Sequence, residues 1–175
     1  MKLFITPYLL GIVLATAALL GGHANAAASL PGTTTTVVLV RHAERTAVTK
    51  ELTEKGRARA GDLRDQLASA RVSAIYAPDL ARNIDTARPL AELLNIDITL
   101  VPENPDIDAL VATFLTQHAG STVLWVGNTN NLKQIFTRLG GTGEAPGYYD
   151  DMYFVTVNDQ GQAQVLRARY GEPGQ

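Results

Sequence analysis

Arg41, His42 and Arg45 stand together at the end of Val37-Val38-Leu39-Val40, an uninterrupted run of β-favouring apolar residues. Two further clusters end similar runs: Arg82 comes soon after Val72–Ala77 and Pro78, and Asn128-Thr129-Asn130 follow Ser121–Gly127. Guanidiniums offer planar paired donors, a helix start offers free amides and positive potential, and an imidazole offers a nitrogen nucleophile. Brought together, these groups would capture an anion, with phosphate the obvious fit. Taken alone, Arg41-His42 reads equally as a charged surface turn after a strand. The difference lies in whether the strand ends meet.

The elements needed for that meeting can be read from periodicity. An apolar run such as residues 37–40 suits a strand buried on both faces, hence a parallel sheet, where ligands bind beyond the carboxyl ends of the strands. Residues 27–36 are small and polar and read as a flexible lead. Thr53 is a plausible N-cap for an amphipathic helix over 56–70, with Ala60, Leu63, Leu67 and Ala70 on one face. A second helical stripe spans 79–94, where Pro89 is expected to kink or restart the helix. Residues 96–101 form a third strand, and Ile107, Leu110, Val111, Phe114 and Leu115 mark a third helix. A short fourth helix after Asn128 carries Leu132, Ile135, Phe136 and Leu139, and residues 152–157 and 163–168 form a terminal hairpin about Asn158–Gly161. Strands alternating with helices predict an α/β three-layer sandwich with a mostly parallel central sheet and a C-terminal hairpin.

Several of these stretches, taken in order, resemble the histidine phosphatase (phosphoglycerate mutase-like) superfamily. They are Leu39-Val40-Arg41-His42-Ala43-Glu44, Leu52-Thr53-Glu54-Lys55-Gly56-Arg57, Ala77-Pro78-Asp79-Leu80-Ala81-Arg82 with Thr86-Ala87, Val126-Gly127-Asn128-Thr129-Asn130, and Tyr149-Asp150-Asp151-Met152-Tyr153. The chain looks most like small exported bacterial members without a large cap. The resemblance implies a phosphoglycerate mutase-like fold and a phosphomonoesterase in which His42 is the nucleophile, becoming a phosphohistidine that water then cleaves. Arg41 and Arg82 match the phosphate-binding arginines. Arg45 is either a further phosphate contact or a solvated surface charge. No cofactor and no metal are implied.

One position departs from the pattern. Where the family carries a second histidine after the fourth strand, this chain has Asn128. Asparagine donates through its amide but carries no charge and moves no proton. The change leaves two readings open, a phosphatase of reduced activity and a catalytically impaired protein that binds phosphorylated ligands. His118 does not substitute, because it precedes the fourth strand, about 20 Å from the strand's other end at roughly 3.3 Å per residue. It reads as a helix-terminal histidine facing exposed carbonyls. For the general acid, Glu103 is the candidate and Glu44 its competitor. Asp79 and Asp85 read as helix-start and exposed-face carboxylates.

Composition bounds the rest. The chain has 175 residues, a formal net charge of -2 and no cysteine, which excludes disulfides and thiolate metal sites and gives no basic surface for nucleic acid. Lys2, the apolar stretch 9–20 and Ala24-Asn25-Ala26 read as a secretory signal over residues 1–26, cleaved there or slightly later within Ala27-Ala28. The alternative is an uncleaved anchor, but the apolar stretch falls short of the ~20 residues that span a bilayer. A periplasmic or secreted protein of one domain, 27–175, with no stable membrane span after cleavage, is therefore expected. Its partner would be a phosphorylated small molecule or envelope component.

Overall fold

Val37, Val38, Leu39 and Val40 are all fully buried, and they lie in β1 (Thr34–Arg41) at the heart of a six-stranded sheet. The computed structural model describes residues 27–174, so the expected signal segment 1–26 lies outside the described residues. The elements that follow are α1 (Glu54–Leu67), β2 (Val72–Pro78), α2 (Ala81–Leu94), β3 (Ile98–Val101), α3 (Ile107–Gln117), β4 (Thr122–Gly127), α4 (Thr129–Arg138), β5 (Asp151–Asn158) and β6 (Ala163–Arg169). The strand order is β3-β2-β4-β1-β5-β6. The first four strands run parallel to one another, while β5 and β6 are antiparallel additions. The three-layer α/β architecture follows from the alternation of side chains along β1 and β4. Val38, Val40, Leu124 and Val126 pack with Leu63 and Leu67 of α1 and Leu90 of α2. Val37, Leu39 and Trp125 pack on the other face with Phe114 of α3 and Leu132 and Phe136 of α4.

Two expectations are corrected. The small polar residues before β1 are not a loose lead. Ser29 is buried and shares hydroxyl hydrogen bonds with Thr33 (2.7 Å) and Thr35 (2.6 Å), while its amide reaches the Asn158 carbonyl at 3.1 Å. Hydroxyls satisfy one another here, so polarity does not mean solvent. Pro89 neither ends nor restarts α2, which runs unbroken to Leu94. Its ring is only half-buried and the carbonyl it leaves without a partner belongs to Asp85, also half-buried, where water can reach.

The start of α1 fits the sequence reading and adds a constraint. Thr53 Oγ1 accepts the Gly56 amide at 3.0 Å as N-cap, and the Thr53 amide donates to the Glu44 carbonyl at 2.9 Å. The first turn therefore lies directly against the chain leaving β1. A Cβ on Gly56 would come within 2.1 Å of the Glu44 carbonyl oxygen. Because that neighbour is backbone, Gly56→Ala is expected to destabilise the fold by about 1–3 kcal/mol, read as a lowered urea midpoint. An unchanged midpoint would mean that this contact yields freely.

Candidate active site

The register of β1 on β4 sets Arg41 beside Gly127, and the His42 amide donates to the Gly127 carbonyl at 2.9 Å. His42 and Asn128 thus emerge side by side. From below, α2 ties the strand ends together. Asn83, fully buried, donates from Nδ2 to the Val126 carbonyl at 2.9 Å. Thr86 Oγ1 accepts the Ala43 amide at 2.9 Å and donates to the Arg82 carbonyl at 2.7 Å. One helical turn therefore places the end of β1, the end of β4 and Arg82 around a common point.

His42 is 4% exposed. Its Nδ1 lies 2.9 Å from the Ala43 carbonyl oxygen. A carbonyl only accepts, so Nδ1 carries the proton and Nε2 keeps its lone pair. The imidazole pKa is lowered from 6.5 to about 4, chiefly by burial. The bond to Ala43 opposes the shift, and the charges of Arg82, Arg41 and Arg45 add to it. The ring is neutral throughout the neutral pH range.

Three guanidiniums surround it, and the backbone rather than carboxylates holds two of them. Arg41 donates from Nη1 to the Gly147 carbonyl (2.9 Å) and from Nη2 to Tyr149 Oη (3.2 Å), with its guanidinium carbon 3.9 Å from the Tyr149 ring centre. Arg45 donates to the Thr46 carbonyl at 3.1 Å. The Glu103 carboxylate lies 3.8 Å from Arg82. Arg41, Arg45 and Arg82 each retain a buried Nε–H with no acceptor in the protein. Buried donors in that condition are costly unless something accepts from them, and the charges of all three arginines bear on the imidazole, a setting that suits an anion.

Among the described residues no group of three His, Asp or Glu side chains could hold a metal ion. No helix among them is long and apolar enough to cross a membrane. The other anticipated residues fall into place as follows. Glu103 stands beside Arg82 with its side chain 54% exposed, at the rim. Glu44 turns away from the pocket, its carboxylate gripped by Arg59 at 2.9 and 2.7 Å. Burial pushes the Glu44 pKa up, but hydrogen bonds from Arg59 and its own backbone, with the charges of Arg59 and Lys55, bring it below the usual value. It is thus a poor proton donor. Asn128 is the N-cap of α4. Its Oδ1 accepts the amides of Asn130 and Asn131, both at 3.1 Å, while Asn131 Oδ1 accepts the Asn128 amide at 2.8 Å. Asp79 does not cap α2, whose N-cap is Leu80 without a side-chain bond, and Asp85 pairs with Arg88 at 2.9 Å. His118 caps α3, but its Nε2 meets the Tyr76 hydroxyl at 2.8 Å rather than exposed carbonyls. Sequence reasoning gave no role to Tyr149, Thr86, Asn83 or Arg59. The first two sit inside the quoted motifs, but nothing in their spacing marks what they touch.

With this geometry in place, the sequence can be set against known families. Residues 37–119 match the histidine phosphatase superfamily, branch 1. That span holds Arg41, His42, Arg45, Arg82 and Glu103 and ends before Asn128. No curated protein sequence matches the chain. Histidine phosphatase folds recur among solved structures. The protein histidine phosphatase SixA complexed with tungstate is 17% identical, over 77% of this chain and 96% of that one, with a TM-score of 0.65. A phosphohistidine phosphatase SixA from Agrobacterium tumefaciens, itself a tentative designation, is 20% identical over 79% of this chain and 98% of that one, with a TM-score of 0.57. A mycobacterial glucosyl-3-phosphoglycerate phosphatase is 15% identical over 78% and 98%, with a TM-score of 0.52. Identities this low speak for the fold, and the fold and the sequence match support the same superfamily.

The depressed His42 pKa has a definite sign. Between about 4 and the unfolded value near 6.5, the unfolded chain binds more protons than the folded one. The stability linked to His42 is whole above pH 6.5 and is lost as pH falls toward 4, by about 3 kcal/mol in all. NMR titration of the imidazole is expected to leave it mostly neutral at pH 5, with a midpoint near 4, and a midpoint near 6.5 would contradict the site as described.

Proposed function

We propose that this protein is an exported phosphomonoesterase that works through a phosphohistidine at His42. The observation that carries the reading is a buried, neutral imidazole with its Nδ1 proton held by the Ala43 carbonyl and the charges of Arg41, Arg45 and Arg82 around it. Nε2 attacks phosphorus, the bond to the leaving oxygen breaks, and the arginines stabilise charge on the equatorial oxygens as it develops. Glu103, beside Arg82, gives its proton to the leaving oxygen. Water then attacks the phosphohistidine, Glu103 takes the proton from that water, and phosphate departs with His42 restored to its neutral state. Glu103 is preferred over Glu44 because both Glu44 carboxylate oxygens are taken up by Arg59, away from the pocket, whereas Glu103 stands beside Arg82 with its side chain half-exposed. Export to the periplasm or beyond rests on the pattern of residues 1–26. The substrate on this reading is a phosphorylated small molecule or envelope component.

A second reading, a phosphate-binding protein without useful turnover, draws on Asn128. Its oxygen is engaged in the helix cap, and a missing catalytic donor commonly costs about 10²–10³ in rate. Hydrolysis of an aryl phosphate separates the two. Slow turnover with an acid-labile phosphoenzyme, abolished by His42→Ala, is expected. Asn128→His should raise kcat while lowering stability by about 1 kcal/mol, since it removes the cap oxygen. Phosphate binding with neither turnover nor phosphoenzyme would decide for the second reading.

A further inference from the structure

Arg59 lies outside the pocket, yet its side chain is 1% exposed and it makes four hydrogen bonds. Nε and Nη2 grip the two Glu44 carboxylate oxygens at 2.9 and 2.7 Å. Nη1 donates to the Tyr170 carbonyl at 3.0 Å, and Nη2 also reaches the Glu172 carbonyl at 2.8 Å. The carboxy-terminal segment is fitted to this seat. Gly171 turns through a positive φ of 64°, and a Cβ there would come within 3.2 Å of Arg59 Nη1 and 2.5 Å of Asp62 Oδ2.

We propose that Arg59 is a positioning residue for His42, acting through Glu44, and that the segment Tyr170–Glu172 completes its seat. The proposal rests on the phosphatase reading for its kinetic consequence but not for its geometry. The Ala43 carbonyl that fixes the imidazole tautomer belongs to the peptide joining Ala43 to Glu44. On one side Thr86 holds the preceding peptide, which joins His42 to Ala43, through the Ala43 amide. On the other, Glu44 is held through its carbonyl by Thr53 and through its carboxylate by Arg59. Without Arg59, Glu44 would be a half-buried carboxylate facing only Lys55, at 3.9 Å, and it would swing toward solvent. The 43–44 peptide would turn with it, and Nδ1 would lose its acceptor. Nε2 would then spend part of its time protonated and unable to attack. A buried ion pair that served stability alone would have no reason to act on the tautomer.

The test uses the full chain carrying Arg59→Met or Arg59→Lys, and a chain ending at Tyr170. Nitrogen-15 NMR of the imidazole reads the tautomer directly, whether or not the protein turns over. Wild type is expected to show Nδ1–H alone, and Arg59→Met a mixture of tautomers. On an aryl phosphate, kcat per folded molecule should fall about 10- to 100-fold with KM nearly unchanged. Arg59→Lys keeps a charge opposite Glu44 but cannot form the paired bonds or reach both tail carbonyls. It should therefore fold while still showing mixed tautomers, and the shortened chain should lie between it and wild type. A cavity of about 360 Å³ opens onto Arg59 between α1 and Glu172, so added methylguanidinium should restore Nδ1–H in Arg59→Ala, which vacates the place of the guanidinium. Variants that fold with Nδ1–H intact, or whose lost activity equals their lost folded fraction, would overturn the proposal. A wild type that shows the single tautomer but neither turnover nor phosphoenzyme would overturn the phosphatase reading and leave the positioning role standing.

Discussion

A neutral imidazole buried beside three guanidiniums has one N–H to satisfy, and His42 satisfies it on the Ala43 carbonyl. Much of the surrounding structure can be understood as holding that carbonyl in place. The β1–β4 register fixes the His42 backbone on Gly127, α2 holds the Ala43 amide through Thr86, and the first turn of α1 closes on Glu44. The contact at Gly56 leaves no room for a side chain, so helix and strand end cannot drift apart without cost. Tautomer control is thus distributed over three elements, none of which touches the nucleophilic nitrogen.

Electrostatics follow a similar economy of placement. Carboxylates that could have neutralised the pocket are turned elsewhere: Glu44 to Arg59, and Asp150 to Arg169 at 2.8 Å. Arg41 is steadied instead by a backbone carbonyl and a tyrosine, and the Asp151 carboxylate fixes that loop by accepting the Gly147 and Tyr148 amides at 2.8 and 2.9 Å. Dipoles orient a guanidinium without cancelling its charge, so the pocket remains positive and able to take up an anion. The carboxylate beside Arg82 is the half-exposed Glu103, where water screens it.

The sheet and the four helices were legible because each rests on local pattern. Apolar runs, three-and-four spacing and the Thr53 cap are short-range signals. Where the reading failed, partners distant in sequence had overridden composition. Ser29 reads as solvent-facing until Thr33, Thr35 and Asn158 surround it, and His118 meets Tyr76 from another element. Asn128 was legible as a substitution in a motif, but its service as a helix cap depends on Asn131 folding back to complete the capping box.

By itself the sequence determined the elements, their order, and which charged residues end the strands, because hydrophobic periodicity and turn chemistry are written within a few neighbouring positions. Only the tertiary structure decided what each charge does. Arg57 and Arg59 stand two residues apart in the first half of α1, and nothing in the sequence around them separates their roles. Arg57 reaches the Leu52 carbonyl at 2.7 Å, whereas Arg59 is buried between Glu44 and the carboxy-terminal segment. Burial is a property of the assembled chain. It turns one arginine into a local hydrogen-bond donor and the other into the link between Glu44 and the carboxy-terminal segment, and it lowers the imidazole pKa to about 4, which no local run of residues encodes.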